Sequence, residues 1–223
     1  FMLLCLAQVL VNLCAPHLFD PFTPGVLTLF AILYLIAPIW LRIAESIALG
    51  GTCLLAIIIV NWMLLPGDMS LAWTDRITIS GFDVFSHLIL TGIYPIFPWI
   101  FFSILGAGLN IHSPSIKQLC YLTVTGLFAC ITILWDSVDK GIPFAQPSGE
   151  AALTFFPANA PFLIGATTGV LILWMALEHR NPYRRLNRLG QLSLTLYVIH
   201  FIPIYLGSSF SPEWTYAIPL VLF

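Results

Sequence analysis

Apolar residues fall in long runs, broken by short polar stretches that carry proline, glycine and most of the charge. A helix needs about 20 consecutive apolar residues to cross a bilayer. Runs at or near that length occupy residues 2–15, 22–41, 44–65, 93–110, 117–135, 161–178 and 190–208, and an eighth begins at 214–223. Strand-like alternation does not compete with this pattern, and lipid admits only helices or closed barrels. The pattern therefore predicts an all-α, polytopic membrane helix bundle of seven to eight spans, forming a single transmembrane domain over residues 1–223. Between the spans, segment 77–92 is apolar enough for a short interfacial helix. Segment 141–161, rich in proline, glycine and alanine, reads as an ordered or re-entrant loop. The chain starts and stops inside apolar runs, which suggests a piece of a longer bundle.

Composition supports the same reading: 59% of residues are hydrophobic and 8% are charged, against about 25% charged in soluble domains. Such a chain cannot cover itself with a polar surface, so the lipid bilayer is its first partner. A long basic run is missing, which argues against nucleic acid. Five cysteines, Cys5, Cys14, Cys53, Cys120 and Cys130, all sit in apolar stretches and read as small core residues rather than a disulfide framework.

Charge then orients the bundle. If successive loops alternate sides, Arg42, Lys117, Arg180, Arg184, Arg185 and Arg188 share one side, six of the eight basic residues. The opposite side holds Arg76 and Lys140 with most of the carboxylates. Lys and Arg are enriched in cytoplasmic loops, so the Arg-rich loop 179–189 is expected in the cytoplasm.

Several polar groups could carry chemistry. Ser193, Tyr197 and His200 share one helix face, with His200 about 15 Å into its span. A polar stripe inside a span faces the bundle or a cavity; it either lines a channel or knits helices together. Asp83 and His87 stand four apart, where a carboxylate could orient an imidazole into a general base; a surface ion pair at the membrane edge is the plainer alternative. Arg180, Arg184, Arg185 and Arg188 form a basic cluster, which is either a topology signal or an anion site. Asp136 and Asp139, at the outer end of the fifth run, could hold a cation or act as acid and base, though a solvated helix end explains them as well. His17, His112 and His179 show no metal-ligand spacing, and no metal is expected.

Two stretches carry a resemblance: GIYPIFPWIFFSILGAGL, residues 92–109, and LNRLGQLSLTLYVIH, residues 186–200. They resemble the transmembrane acyltransferase superfamily, in particular bacterial relatives of heparan-alpha-glucosaminide N-acetyltransferase. There a P-x-x-P-W segment opens one helix and G-x-x-S-L-x-x-Y-x-x-H opens a late one. Stretch 25–43 is similar to a further helix of that family, with Tyr34 where the family often has histidine. The resemblance implies a bacterial cytoplasmic-membrane enzyme that takes an acyl group from cytoplasmic acyl-CoA. The group would pass to a sugar hydroxyl or amine on the outer side. It implies acyl-CoA as co-substrate, with Arg180, Arg184, Arg185, Arg188, Ser193, Tyr197 and His200 as candidates to bind it, and His87 with Asp83 as candidate catalytic residues. The family's amino-terminal R-x-x-x-D-x-x-R-G motif and the histidine near it do not occur in this chain; they would precede Phe1. Two other functions stand beside this one: a catalytically silent structural subunit, packed against other membrane subunits or a second copy of itself, and a transporter.

Overall fold

A computed structural model describes residues 1–14, 19–68, 75–76, 83–177 and 192–199. These residues are mostly helical. The helices are α1 (Met2–Cys14), α2 (Val26–Leu35), α3 (Ala37–Ala44), α4 (Ile47–Asp68), α5 (Asp83–Ser86), α6 (Ile96–His112), α7 (Ile116–Lys140), α8 (Ala160–Leu177) and α9 (Ser193–Ile199). A π-helical turn, His87–Thr91, continues α5.

Three of these helices are long and apolar enough to cross a membrane: Ile47–Leu64 within α4, then α7 and α8. Two bent pairs raise the number to five if each pair is one span. The described residues thus support three to five crossings, not the seven or eight expected. The reasons are local. Run 2–15 yields a helix of 13 residues, short of a full crossing. Run 22–41 breaks at Ile36, where α2 and α3 meet at 73°. Pro38 stands in the first turn of α3 and has no N–H to continue the ladder from α2. The carbonyl of Leu33, short of a helical partner there, accepts the Trp40 indole N–H at 2.8 Å. Run 190–208 is described only over α9, and 214–223 lies outside the described residues.

Helix ends follow their local sequence. Ser115 and Gln118 form a capping box at the start of α7: the Ser115 hydroxyl accepts from Gln118 N–H, and Gln118 Oε1 accepts from Ser115 N–H at 2.8 Å. Gly141, at φ 65°, ends α7. Ile142 N–H then reaches Ser137 O and Gly141 N–H reaches Val138 O, the paired closure that a left-handed glycine permits.

The core gathers where α3, α4, α6 and α8 meet, around Ala44, Ile57, Phe101, Ile104 and Leu163. A smaller cluster, Leu109, Leu119 and Leu171, joins α6, α7 and α8. Helices α7 and α8 pack closely at Gly126, where an added Cβ would overlap Thr168 Oγ1. At the start of the chain, α1 holds α2 through side-chain amides. Gln8 Oε1 accepts from Leu27 N–H at 3.1 Å, and Asn12 donates to the carbonyls of Pro21 and Thr23.

The segment read as an ordered loop contains two short strands, β1 (Ala145–Ser148) and β2 (Leu153–Phe156), paired in parallel with Ala145 opposite Leu153. A parallel pair ordinarily needs a long crossover. Here the chain makes one tight coil through Gly149, at φ 92°, which only glycine adopts at low cost. Thr154, fully buried, fixes the coil by donating to Pro157 O at 2.7 Å.

Candidate functional site

The coil, the amino-terminal ends of α6 and α8 and the carboxyl-terminal end of α7 share one end of the bundle, called here the loop end. The polar groups that matter most are concentrated there.

Thr91 is the hub. Its hydroxyl lies 2.9 Å from His87 Nδ1 and 3.1 Å from Ser86 Oγ, and its carbonyl accepts from Arg76 Nη1 at 3.1 Å. Ser86 Oγ donates to Asp83 O at 3.2 Å. A carbonyl only accepts, so the Ser86 proton points to Asp83 O; the Thr91 hydroxyl can then give its proton to Ser86 and accept from His87 Nδ1. The π-helical turn makes this possible by drawing Thr91 and Ser86, five apart, into contact. It closes with Gly92 N–H on His87 O at 3.2 Å, and a Cβ at Gly92 would overlap that carbonyl. Such turns occur frequently at functional sites.

His87 is 5% exposed and Arg76 3% exposed. Buried ionisable groups in a membrane bundle are costly and mark function by default. Asp83 is exposed and His87 buried, so the two residues expected to work as a pair occupy different environments, and His87 Nδ1 contacts Thr91.

Beyond Gly92, an aromatic cluster covers the start of α6. Tyr94 packs edge-on against Phe156, with centroids 5.4 Å apart, and Trp99 against Phe155 at 5.0 Å. Trp99 Nε1 is buried with no hydrogen-bond partner among the described residues. On the helix expected to carry a polar stripe, Tyr197 is half-buried and Ser193 is exposed. Arg180, Arg184, Arg185, Arg188 and His200 lie outside the described residues.

A cleft of about 580 Å³ opens beside the coil. Trp62, Thr132, Asp136, Lys140 and Asn159 supply its indole face and polar groups. Asp136 and Lys140 pair at 2.7 Å with both side chains more than half exposed. Asn159 caps α8 by accepting from Phe162 N–H at 2.9 Å, and Asn61, buried within α4, donates to Ala158 O at 3.0 Å. Among the described residues, His, Cys, Asp and Glu form no group able to hold a metal ion.

Sequence reasoning missed Thr91, Arg76 and Tyr94. The His87–Thr91 spacing of four was as visible as Asp83–His87, but a carboxylate draws the eye before a threonine does. Trp62 and Asn159 come from distant helices and carry no common sequence signal. No family model matches the chain, and neither does a curated protein or a solved structure.

Proposed function

We propose that this chain is the core of a membrane acyltransferase that uses cytoplasmic acyl-CoA and acylates a hydroxyl or amine, of a sugar, at the loop end. The observation that carries the reading is the buried His87, its Nδ1 2.9 Å from the Thr91 hydroxyl, on a π-helical turn. In this reading the loop end faces outward, because the opposite end carries the excess of Lys and Arg. His87 Nε2 takes the proton of the acceptor O–H or N–H. The acceptor attacks the acyl carbon, the C–S bond of the thioester breaks, a C–O or C–N bond forms, and the proton finishes on the thiol of CoA. In this reading the buried Arg76, held at the Thr91 carbonyl, would stabilise the developing oxyanion. The open cleft at Trp62, Asp136 and Asn159 suits a sugar, which needs a flat apolar platform and a rim of hydrogen-bonding groups. The Arg180–Arg188 loop would hold CoA phosphates.

The test is transfer of radiolabelled acetyl from acetyl-CoA outside proteoliposomes of known orientation to amino sugars inside. Transfer that falls at least about 100-fold in His87→Asn, with folding intact, supports the reading. Wild-type protein that transfers no label with any acyl-CoA or sugar tried ends it.

A second reading, a structural subunit, draws on the breadth of apolar surface along α1 and α7, where Leu6, Leu10, Tyr121, Phe128 and Trp135 are all exposed. Native electrophoresis of membranes in mild detergent separates the two: migration in one stoichiometric complex favours the subunit.

A further inference from the structure

The end of the bundle away from the coil holds a second recess, separate from the proposed reaction. It lies between α4, α6 and α7, with a volume of about 450 Å³. Leu54, Ile104 and Leu122 line it, and Gly50, Gly51 and Gly108 bring bare backbone to its surface. A Cβ at Gly51 or Gly108 would meet nothing within 4 Å. These two glycines therefore hold space open; they do not admit a close neighbour. The recess ends in a polar mouth of Ser46, His112 and Gln118. His112 Nε2 donates to Ala44 O at 2.9 Å, which ties the end of α3 to the end of α6 and fixes the mouth.

Charge says what the recess fits. Arg42, in the last turn of α3, stands two residues before Ala44, and Lys117, in the first turn of α7, stands beside Gln118. Both are exposed, and neither forms an ion pair among the described residues. Glu45 is the one carboxylate beside this mouth among the described residues, and it too is exposed. Two cations and one acid thus stand within two residues of the side chains that line the mouth, at the end of an apolar slot. Basic side chains where a span meets headgroups attract anionic lipid.

We propose that this recess binds one acyl chain of an anionic glycerophospholipid, with the lipid phosphate held by Arg42 and Lys117. The slot supplies chain affinity that any phospholipid shares; the rim supplies the preference for an anionic head.

The experiment uses the full chain, delipidated in detergent, with phosphatidylglycerol and phosphatidylcholine of identical acyl chains added back and counted by native mass spectrometry. Wild-type protein is expected to bind the anionic lipid about fivefold more tightly, the net of two cations and one acid at about fivefold per charge. In the Arg42→Gln, Lys117→Gln double variant that preference disappears or reverses while chain binding persists. Glu45→Gln raises it about fivefold. Gly108→Leu fills the slot and lowers binding of both lipids at least tenfold; Gly51→Leu does the same should Gly108→Leu not stay monodisperse. Gly106→Leu is the control: the site is on the same helix, is open to an added Cβ and does not line the recess. The proposal falls if Gly51→Leu and Gly108→Leu bind phosphatidylglycerol like wild type, or if the preference survives loss of both cations. It also falls if palmitoyl-CoA displaces the lipid one for one, which would make the recess an acyl-donor site. A dimer that Gly108→Leu dissociates would overturn it equally, by making the occupant a second copy.

Discussion

Helix α7 and the turn around His87 obey opposite rules of burial. Over the most apolar 18 residues of α7, with a mean hydropathy of 1.7, 11% are buried inside the protein; Leu122, Phe128 and Trp135 are exposed. At the turn, a histidine and an arginine are packed away, and the Thr91 that both contact is partly buried. The same inversion recurs elsewhere, with Asn12, Asn61, Thr123 and Thr154 among the most buried residues. In water this arrangement would be unstable. In lipid, apolar side chains gain little from each other's company, while polar ones have no solvent outside the bundle. Among the described residues, apolarity alone does not decide burial.

The largest effect expected from this contrast is on catalysis. His87→Asn should cut acyl transfer about 100-fold or more while leaving the thermal midpoint in detergent nearly unchanged; an unaltered rate would strip the buried turn of its chemical role. Thr91→Val, which keeps shape and removes the hydroxyl, should lower kcat about tenfold with little change in KM. It would do so by releasing the His87 tautomer, and a loss confined to KM would count against that role.

Next come tests within single helices. Leu119, with no exposed surface, and Leu122, half-exposed, both lie on α7. Leu119→Ala should cost about 2–4 kcal/mol from the cavity it leaves, and Leu122→Ala within about 0.5 kcal/mol, by unfolding in mixed micelles. Equal costs would mean that the lipid face is covered by another chain. Gly126→Ala should cost about 1–3 kcal/mol by overpacking against Thr168, and the double variant with Thr168→Ala should recover part of that loss. The smallest effect belongs to the exposed pair at the cleft. Lys140→Gln should change stability by no more than about 0.5 kcal/mol yet raise the KM for a sugar acceptor. A KM that stays put would remove the cleft from the proposed function.

Much of the helical layout was legible because apolar run length is a one-dimensional quantity. Runs 44–65, 117–135 and 161–178 appear as α4, α7 and α8 within a few residues. Run 22–41 shows that length says nothing of continuity: Pro38 stands near its end, and the chain bends by 73° beside it. The coil at 145–156 was legible as ordered but not as paired strands, since its parallel register depends on a Gly149 conformation that composition does not encode. At the site, His87 was visible as a candidate, whereas the contact of Thr91 with Ser86 depends on a π-helical turn that shifts residue facing from every fourth to every fifth position. Sequence periodicity assumes a regular helix, and it fails where the helix stops being regular.

The break at Ile36 also matters mechanically. It divides one apolar run into two short levers, each with its own clasp: α2 is gripped by α1 through Gln8, and α3 by α6 through the His112–Ala44 bond. The start of the chain therefore sets the position of α2, whereas the mouth of the glycine-floored recess takes its shape from α3 and α6.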